Sequence, residues 1–225
     1  VAGALPANVD GGGLFDSTAI VASAAVTEGA WGNGINYSYD SDTGTLTLTA
    51  GTGTVVKQSE VVFNYYNYSF SSQFSGISKI VISEGITQID SMAFADWRNG
   101  INKNITVEIP STVTNIGEWA FSSMTNGSLS VVMNASPTGL TMNANAFNGA
   151  ENGTFTTPYA DEWKIAANCT YTESTNTLKI GNNRYYGTFT LEAATATPLT
   201  YMDWNGTTKQ LEQKTLDDTI PPNPV

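Results

Sequence analysis

The stretch Lys79-Ile-Val-Ile-Ser-Glu-Gly-Ile-Thr-Gln-Ile-Asp-Ser-Met-Ala-Phe94 is matched without a gap by Thr106-Val-Glu-Ile-Pro-Ser-Thr-Val-Thr-Asn-Ile-Gly-Glu-Trp-Ala-Phe121, 27 residues further on. Ile82 falls on Ile109, Ile86 on Val113, Ile89 on Ile116, and Ala93-Phe94 on Ala120-Phe121. A weaker third copy runs from Leu129 through Val131 and Met133 to Met142, Ala146 and Phe147, its front half shifted so that Leu140 only approximately replaces Val113. The front half of each copy alternates apolar and polar residues, the two-residue period of a strand with one buried edge. A single copy cannot bury that edge alone. Stacked copies bury it continuously, and the two ends of the stack then need different chemistry. The expected fold is mainly β, a short β-solenoid of such repeats.

The shared pattern, Ile-x-Ile-(Pro)-x-x-Val-Thr-x-Ile-Gly-x-x-Ala-Phe, resembles the BspA-like, or Treponema-type, leucine-rich repeat of surface proteins from host-associated bacteria and some parasitic protists. Thr106 to Phe121 carries nearly all of it. That family often places a Cys three residues after the Phe, where this chain has Trp97, Met124 and Ala150; the positions stay apolar although the signature residue is lost. Phe155-Thr-Thr-Pro-Tyr-Ala-Asp-Glu-Trp-Lys-Ile-Ala-Ala167 is similar to the strand, Pro turn and helical turn that close these arrays, with Asp161 and Glu162 before Lys164 as a helix dipole prefers. Trp31 to Val55 resembles the amino-terminal β-hairpin region, so the likeness spans Trp31 to Ala167. It implies a non-enzymatic, adhesin-like protein, secreted or at the bacterial cell surface, that presents its repeats to an extracellular protein.

Five segments are expected. Residues 1–30, with Gly11-Gly-Gly13, form an amino-terminal segment or linker, 31–76 an N-terminal β-hairpin cap, and 77–170 the leucine-rich-repeat solenoid. Residues 171–220 form a C-terminal β cap or small β module, with strands at Leu178-Lys-Ile180, Tyr186 to Leu191 and Leu199 to Trp204 and a hairpin turn at Asn205-Gly206. Pro221-Pro-Asn-Pro224 makes 221–225 a linker.

Composition narrows the function. A chain of 225 residues with 40% hydrophobic content can bury a core, and its low charged fraction of 13% favours strands and turns over exposed helices. The net charge of -11 repels nucleic acid and anionic lipid. The longest nearly apolar stretch, Thr18 to Val26, is too short to cross a bilayer, so no direct membrane insertion is expected. Without histidine there is no Ser-His-Asp or Cys-His pair and no imidazole to act as base or metal ligand. The lone Cys169 can form neither an intrachain disulfide nor a cysteine zinc site, and is expected to be a small buried apolar residue. No catalytic residue, metal or cofactor follows.

Three constellations remain. Asp40-Ser-Asp42-Thr-Gly44 alternates oxygen donors like the start of a calcium loop, but it lacks the distal bidentate carboxylate and sits where two alternating runs need a turn. Glu84, Asp90, Glu108 and Glu118 could supply the two carboxylates of glycoside hydrolysis, yet each occupies an outward or turn position suited to solvated charge. In Phe63-Asn-Tyr-Tyr-Asn-Tyr-Ser-Phe70, the rings of Tyr65, Tyr66 and Tyr68 suit either sugar stacking or a cap over the open end of the stack. A glycan-binding or glycan-cleaving protein and a structural spacer are therefore the alternatives to protein binding.

The protein-binding surface follows from strand alternation. If Ile80, Ile82, Val107, Ile109, Val131 and Met133 point inward, then Val81, Ser83, Thr106, Glu108, Ser130 and Val132 point outward. A chelator is expected to leave the melting temperature unchanged. A drop of several degrees would instead assign Asp40 and Asp42 to calcium.

Overall fold

The computed structural model describes residues 26–64, 69–74, 76–101, 103–194, 200–205 and 210–215. Alternating segments become strands in chain order: β1 (Val26–Gly32), β2 (Ile35–Asp40), β3 (Thr45–Ala50), β4 (Val55–Val56), β5 (Phe63–Asn64), β6 (Ser69–Phe70), β7 (Lys79–Ile82), β8 (Gln88–Ile89), β9 (Ile105–Ile109) and β10 (Asn115–Ile116). They continue as β11 (Leu129–Met133), β12 (Thr141–Met142), β13 (Gly153–Thr157), β14 (Cys169–Thr172), β15 (Thr177–Gly181), β16 (Tyr186–Ala193), β17 (Thr200–Asn205) and β18 (Gln210–Thr215). One short helix, α1 (Ala160–Lys164), follows the Pro158 turn after β13.

Each repeat contributes one long and one short strand. The long strands β7, β9 and β11 pair in parallel with Ile80 beside Val107 and Val107 beside Val131. The short strands β8, β10 and β12 pair in parallel with Ile89 beside Ile116 and Ile116 beside Met142. A further rung precedes them, since β3 places Leu46 beside Ile80 and β4 places Val56 beside Ile89. The result is a ten-stranded sheet in the order β1-β2-β3-β7-β9-β11-β13-β16-β15-β14 and a four-stranded sheet, β12-β10-β8-β4.

The ends are antiparallel. β1, β2 and β3 form a meander, and β14, β15 and β16 form another that joins the stack where β16 runs parallel to β13. The large sheet thus takes strands from before residue 76 and from beyond residue 170, and β14 to β16 are its last strands among the described residues. β17 and β18 make a separate antiparallel pair in which Asn205 stands opposite Gln210. Asn205 is therefore the last paired strand residue, not half of a two-residue turn, and Gly206 lies outside the described residues, as do residues 1–25 and 221–225.

Between the sheets lies one core, with Leu46, Leu48, Ile80, Ile82, Val107, Ile109, Val131 and Met133 buried on one side and Val56, Ile89 and Ile116 on the other. Phe94, Phe121 and Phe147 form a ladder through it, with ring centroids 5.2 and 5.1 Å apart and planes within 8° and 6° of parallel. Trp31 tilts onto Phe94 at one end, and Phe189 meets Phe147 edge-on at the other. Trp97, Met124 and Ala150, at the expected cysteine positions, are all buried.

The irregular third copy has a local cause. Leu129 pairs with Ile105, a step of 24 residues, whereas Met142 pairs with Ile116, a step of 26. The two extra residues lie in the connection between β11 and β12, which spans 134–140 against 110–114 in the copy before. Leu140 is consequently half-buried where Val113 is buried.

Cys169 departs from expectation. It lies on β14, the last strand of the large sheet among the described residues, and is only partly covered; its burial still pushes the thiol up to about 12. Truncating the middle rung of the ladder, Phe121→Ala, should cost on the order of 3–5 kcal/mol in a denaturant titration. An unshifted midpoint would contradict the stacking register.

Candidate functional site

Strand pairing sets the outer face of the large sheet as two rows. Val81, Glu108 and Val132 are consecutive in one row, continued by Thr47 before them and Thr156 after them. Lys79, Thr106 and Ser130 are consecutive in the other, continued by Thr45 and by Thr154, whose N–H donates to the Ser130 hydroxyl at 3.1 Å. Neighbouring rungs are about 4.8 Å apart. All six central residues are half-buried, as side chains standing side by side on a sheet should be.

Ser83 lies just past the end of its strand. β7 ends at Ile82, and Ser83 begins the turn: its N–H donates to Leu48 at 2.9 Å and its carbonyl accepts from the Ile86 N–H at 3.3 Å. The place beside Thr106 belongs to Lys79, whose ammonium lies 2.7 Å from a Glu108 carboxylate oxygen in the neighbouring row. The gap-free alignment already put Lys79 opposite Thr106, so this residue was available to sequence reasoning and was missed. With both partners partly exposed, the pair contributes roughly 1 kcal/mol or less, but it neutralises the one cation of the central face.

The four carboxylates considered for hydrolysis each reach an adjacent rung instead. Glu84 accepts from the Ser111 N–H at 3.1 Å and from its hydroxyl at 3.0 Å. Asp90 lies 3.9 Å from Lys57, Glu108 pairs with Lys79, and Glu118 accepts from the Asn145 amide at 3.3 Å. Burial works to raise the Glu84 pKa, but hydrogen bonds from Ser111 and Thr112 outweigh it and hold the carboxyl below its ordinary value.

Asp40 builds a turn. Its carboxylate accepts from the backbone N–H groups of Asp42 and Thr43 at 2.9 and 3.4 Å, and bonds with the Thr43 side chain and these amides lower its pKa. Gly44 completes the turn at φ 66, a backbone that favours glycine. Among the described residues no three His, Cys, Asp or Glu side chains cluster as metal ligands.

A shallow groove of about 530 Å³ lies against β1 to β3, lined by Glu28, Gly29, Asn36, Tyr37, Ser38 and Thr49. It contains a single carboxylate, whereas glycoside hydrolysis calls for two. Tyr65, Tyr66 and Tyr68 lie outside the described residues; only the flanking pair β5 and β6, with Phe63 opposite Phe70, is placed. No helix among the described residues is long and apolar enough to cross a membrane.

The model of the BspA type leucine rich repeat region (6 copies) matches residues 64–190 and 99–218, more than half of the chain. The match begins downstream of Trp31 to Val55, so that hairpin region, likened above to the same family, is not part of it, and it extends past Ala167. Neither the curated proteins nor the solved structures give a match.

The Glu84 contacts to Ser111 have a consequence for acid stability. Because the folded-state pKa is depressed, their contribution is present at neutral pH and is lost as the pH falls through the folded pKa. Glu84→Gln should therefore melt below the wild type at neutral pH, with the gap closing as the pH drops below the usual glutamate range. A gap independent of pH would show that the charge is not what joins these rungs.

Proposed function

Because the chain belongs to the BspA-type leucine rich repeat family, we propose that it is a non-enzymatic binding protein, secreted or held at a bacterial cell surface, that presents the outer face of its large sheet to an extracellular protein. The observation that carries this reading is the continuous pair of rows through Val81, Glu108 and Val132 and through Lys79, Thr106 and Ser130. This face is a continuous run of paired strands, mixes two valines with hydroxyls, and has its central cation already paired with a carboxylate. Protein contact suits such a surface, since interface centres are depleted in unpaired charge, whereas small-molecule chemistry calls for a concave pocket. Residues 77–170 form the open solenoid in this reading, 31–76 and 171–220 close its two ends, and 1–30 and 221–225 are connections.

The double substitution Val81→Lys with Val132→Lys tests the assignment. It places a cation on each side of Glu108, so charges alternate along the row and the fold is retained. Binding to a panel of immobilised extracellular-matrix proteins should fall at least tenfold, with circular dichroism unchanged. Undiminished binding by the folded double variant would remove this face as the contact.

A further inference from the structure

In each repeat one residue precedes the Ala-Phe pair: Met92, then Trp119, then Asn145. Met92 and Trp119 hold left-handed backbones, φ 59 and 58, while the Ala and Phe that follow are fully buried. A bulky side chain at positive φ is a genuine outlier, and such strain concentrates at sites of function. Trp119 is moreover left half-exposed, although the core beside it is closed.

A second element comes to meet it. The loop joining β15 to β16 is fixed by Asn182, whose side-chain oxygen accepts from the Arg184 and Tyr185 N–H groups at 2.8 Å each and whose own N–H donates to the Tyr185 carbonyl at 3.0 Å. The loop leans across the small Asn145 and sets Tyr185 against Trp119, with ring centroids 4.9 Å apart at 74°. Along the rim the Asn182 amide donates to Asn145 at 3.1 Å, and the Asn145 amide donates to Glu118 at 3.3 Å. Each amide is thus oriented by its partners and, among the described residues, keeps one N–H uncommitted, as Glu118 keeps its second oxygen.

The geometry points to a carbohydrate-binding site for a neutral oligosaccharide at this corner, with Trp119 as the stacking platform, Tyr185 as the wall that meets it nearly at right angles, and Glu118, Asn145 and Asn182 as the groups that bind hydroxyls. The C–H face of a pyranose ring packs on an aromatic face, and its hydroxyls project at the ring's edge, where preoriented carboxamide and carboxylate groups meet them. Glu118 and Arg184 give the corner one charge of each sign, and the net charge of -11 disfavours acidic sugars. Trp, Tyr and Arg also anchor protein interfaces, but there they are ringed by water-excluding contacts. Here the surrounding groups are the exposed Glu118 and Asn182, the half-buried Asn145, and the exposed Arg184, whose guanidinium carbon lies 5.1 Å from the centroid of the Tyr185 ring, so the rings are bordered by polar groups and water. The site is separate from the outer sheet face and does not depend on it.

The test uses the whole chain in calorimetric titrations with cellohexaose, maltohexaose, xylohexaose, mannohexaose and chitohexaose. At least one should bind, and Trp119→Asn and Tyr185→Ala should each weaken it at least tenfold. Asn tolerates the left-handed backbone, so Trp119→Asn removes the platform while keeping or raising the melting temperature. Val81→Lys with Val132→Lys should leave sugar binding unchanged, which separates this site from the sheet face. The assignment is overturned if no oligosaccharide binds, or if both ring variants bind as the wild type does. It is equally overturned if Trp119→Asn abolishes capture of a matrix protein while sugars remain unbound, which would make the corner a protein contact.

Discussion

Backbone hydrogen bonds fix the rung spacing at about 4.8 Å, and the phenylalanine ladder must live within it. Rings at equivalent positions have room only for near-parallel, offset stacking, which is the arrangement of Phe94, Phe121 and Phe147. Each copy must therefore return a ring to the same place in the core, whatever happens in its connections. The chain can insert two residues between β11 and β12 without disturbing either sheet, because they bring the step from 24 at Leu129 back to 26 at Met142 and Phe147, within one residue of the 27 of the copy before. The ladder stops where rings turn out of plane: Trp31 tilts by 41° and Phe189 stands at 88°. An edge-on ring offers the next rung no parallel face, so these residues close the ends chemically as the antiparallel meanders close them topologically.

Polar groups do a different task. Apolar rungs of Ile and Val resemble one another and discriminate poorly between correct and slipped neighbours, while a one-residue slip would turn every side chain to the wrong face. Glu84 to Ser111, Asp90 to Lys57, Glu108 to Lys79 and Glu118 to Asn145 each connect one rung to the next. Individually such exposed contacts are weak. Together they specify which rung lies beside which, a use of acidic residues that composition alone could not distinguish from catalysis or from idle surface charge.

The repeat was legible because its signal is local and recurs: Ala-Phe at the ladder and alternation before it. The rung formed by β3 and β4 was not, since Leu46 and Leu48 have no Ala-Phe behind them and the step to Ile80 is 34 residues. The last strands were readable as strands, but a strand's own pattern does not say whether its neighbour is parallel, so the pairing of β16 with β13 was hidden. On the outer face, Val81, Glu108 and Val132 followed from alternation alone. Ser83 lies just beyond its strand, which ends at Ile82 before Gly85 turns the chain at φ 93. The meeting of Trp119 with Tyr185 is a product of the folded chain alone, as the two lie in different elements joined by no shared motif.

The direction of the backbone hydrogen bonds has a mechanical meaning. They run along the stack, so a pull between β1 and β14 loads them in series and in tension, the geometry in which a sheet unzips one strand at a time. The peptide chain, however, passes from rung to rung through long arcs, and a rung that detaches stays tethered. Releasing the 27-residue step between β7 and β9 would yield on the order of 90 Å of slack, while the remaining rungs keep their register. Under load the array would thus lengthen in stages, each stage dissipating work and leaving the outer face of the surviving rungs intact.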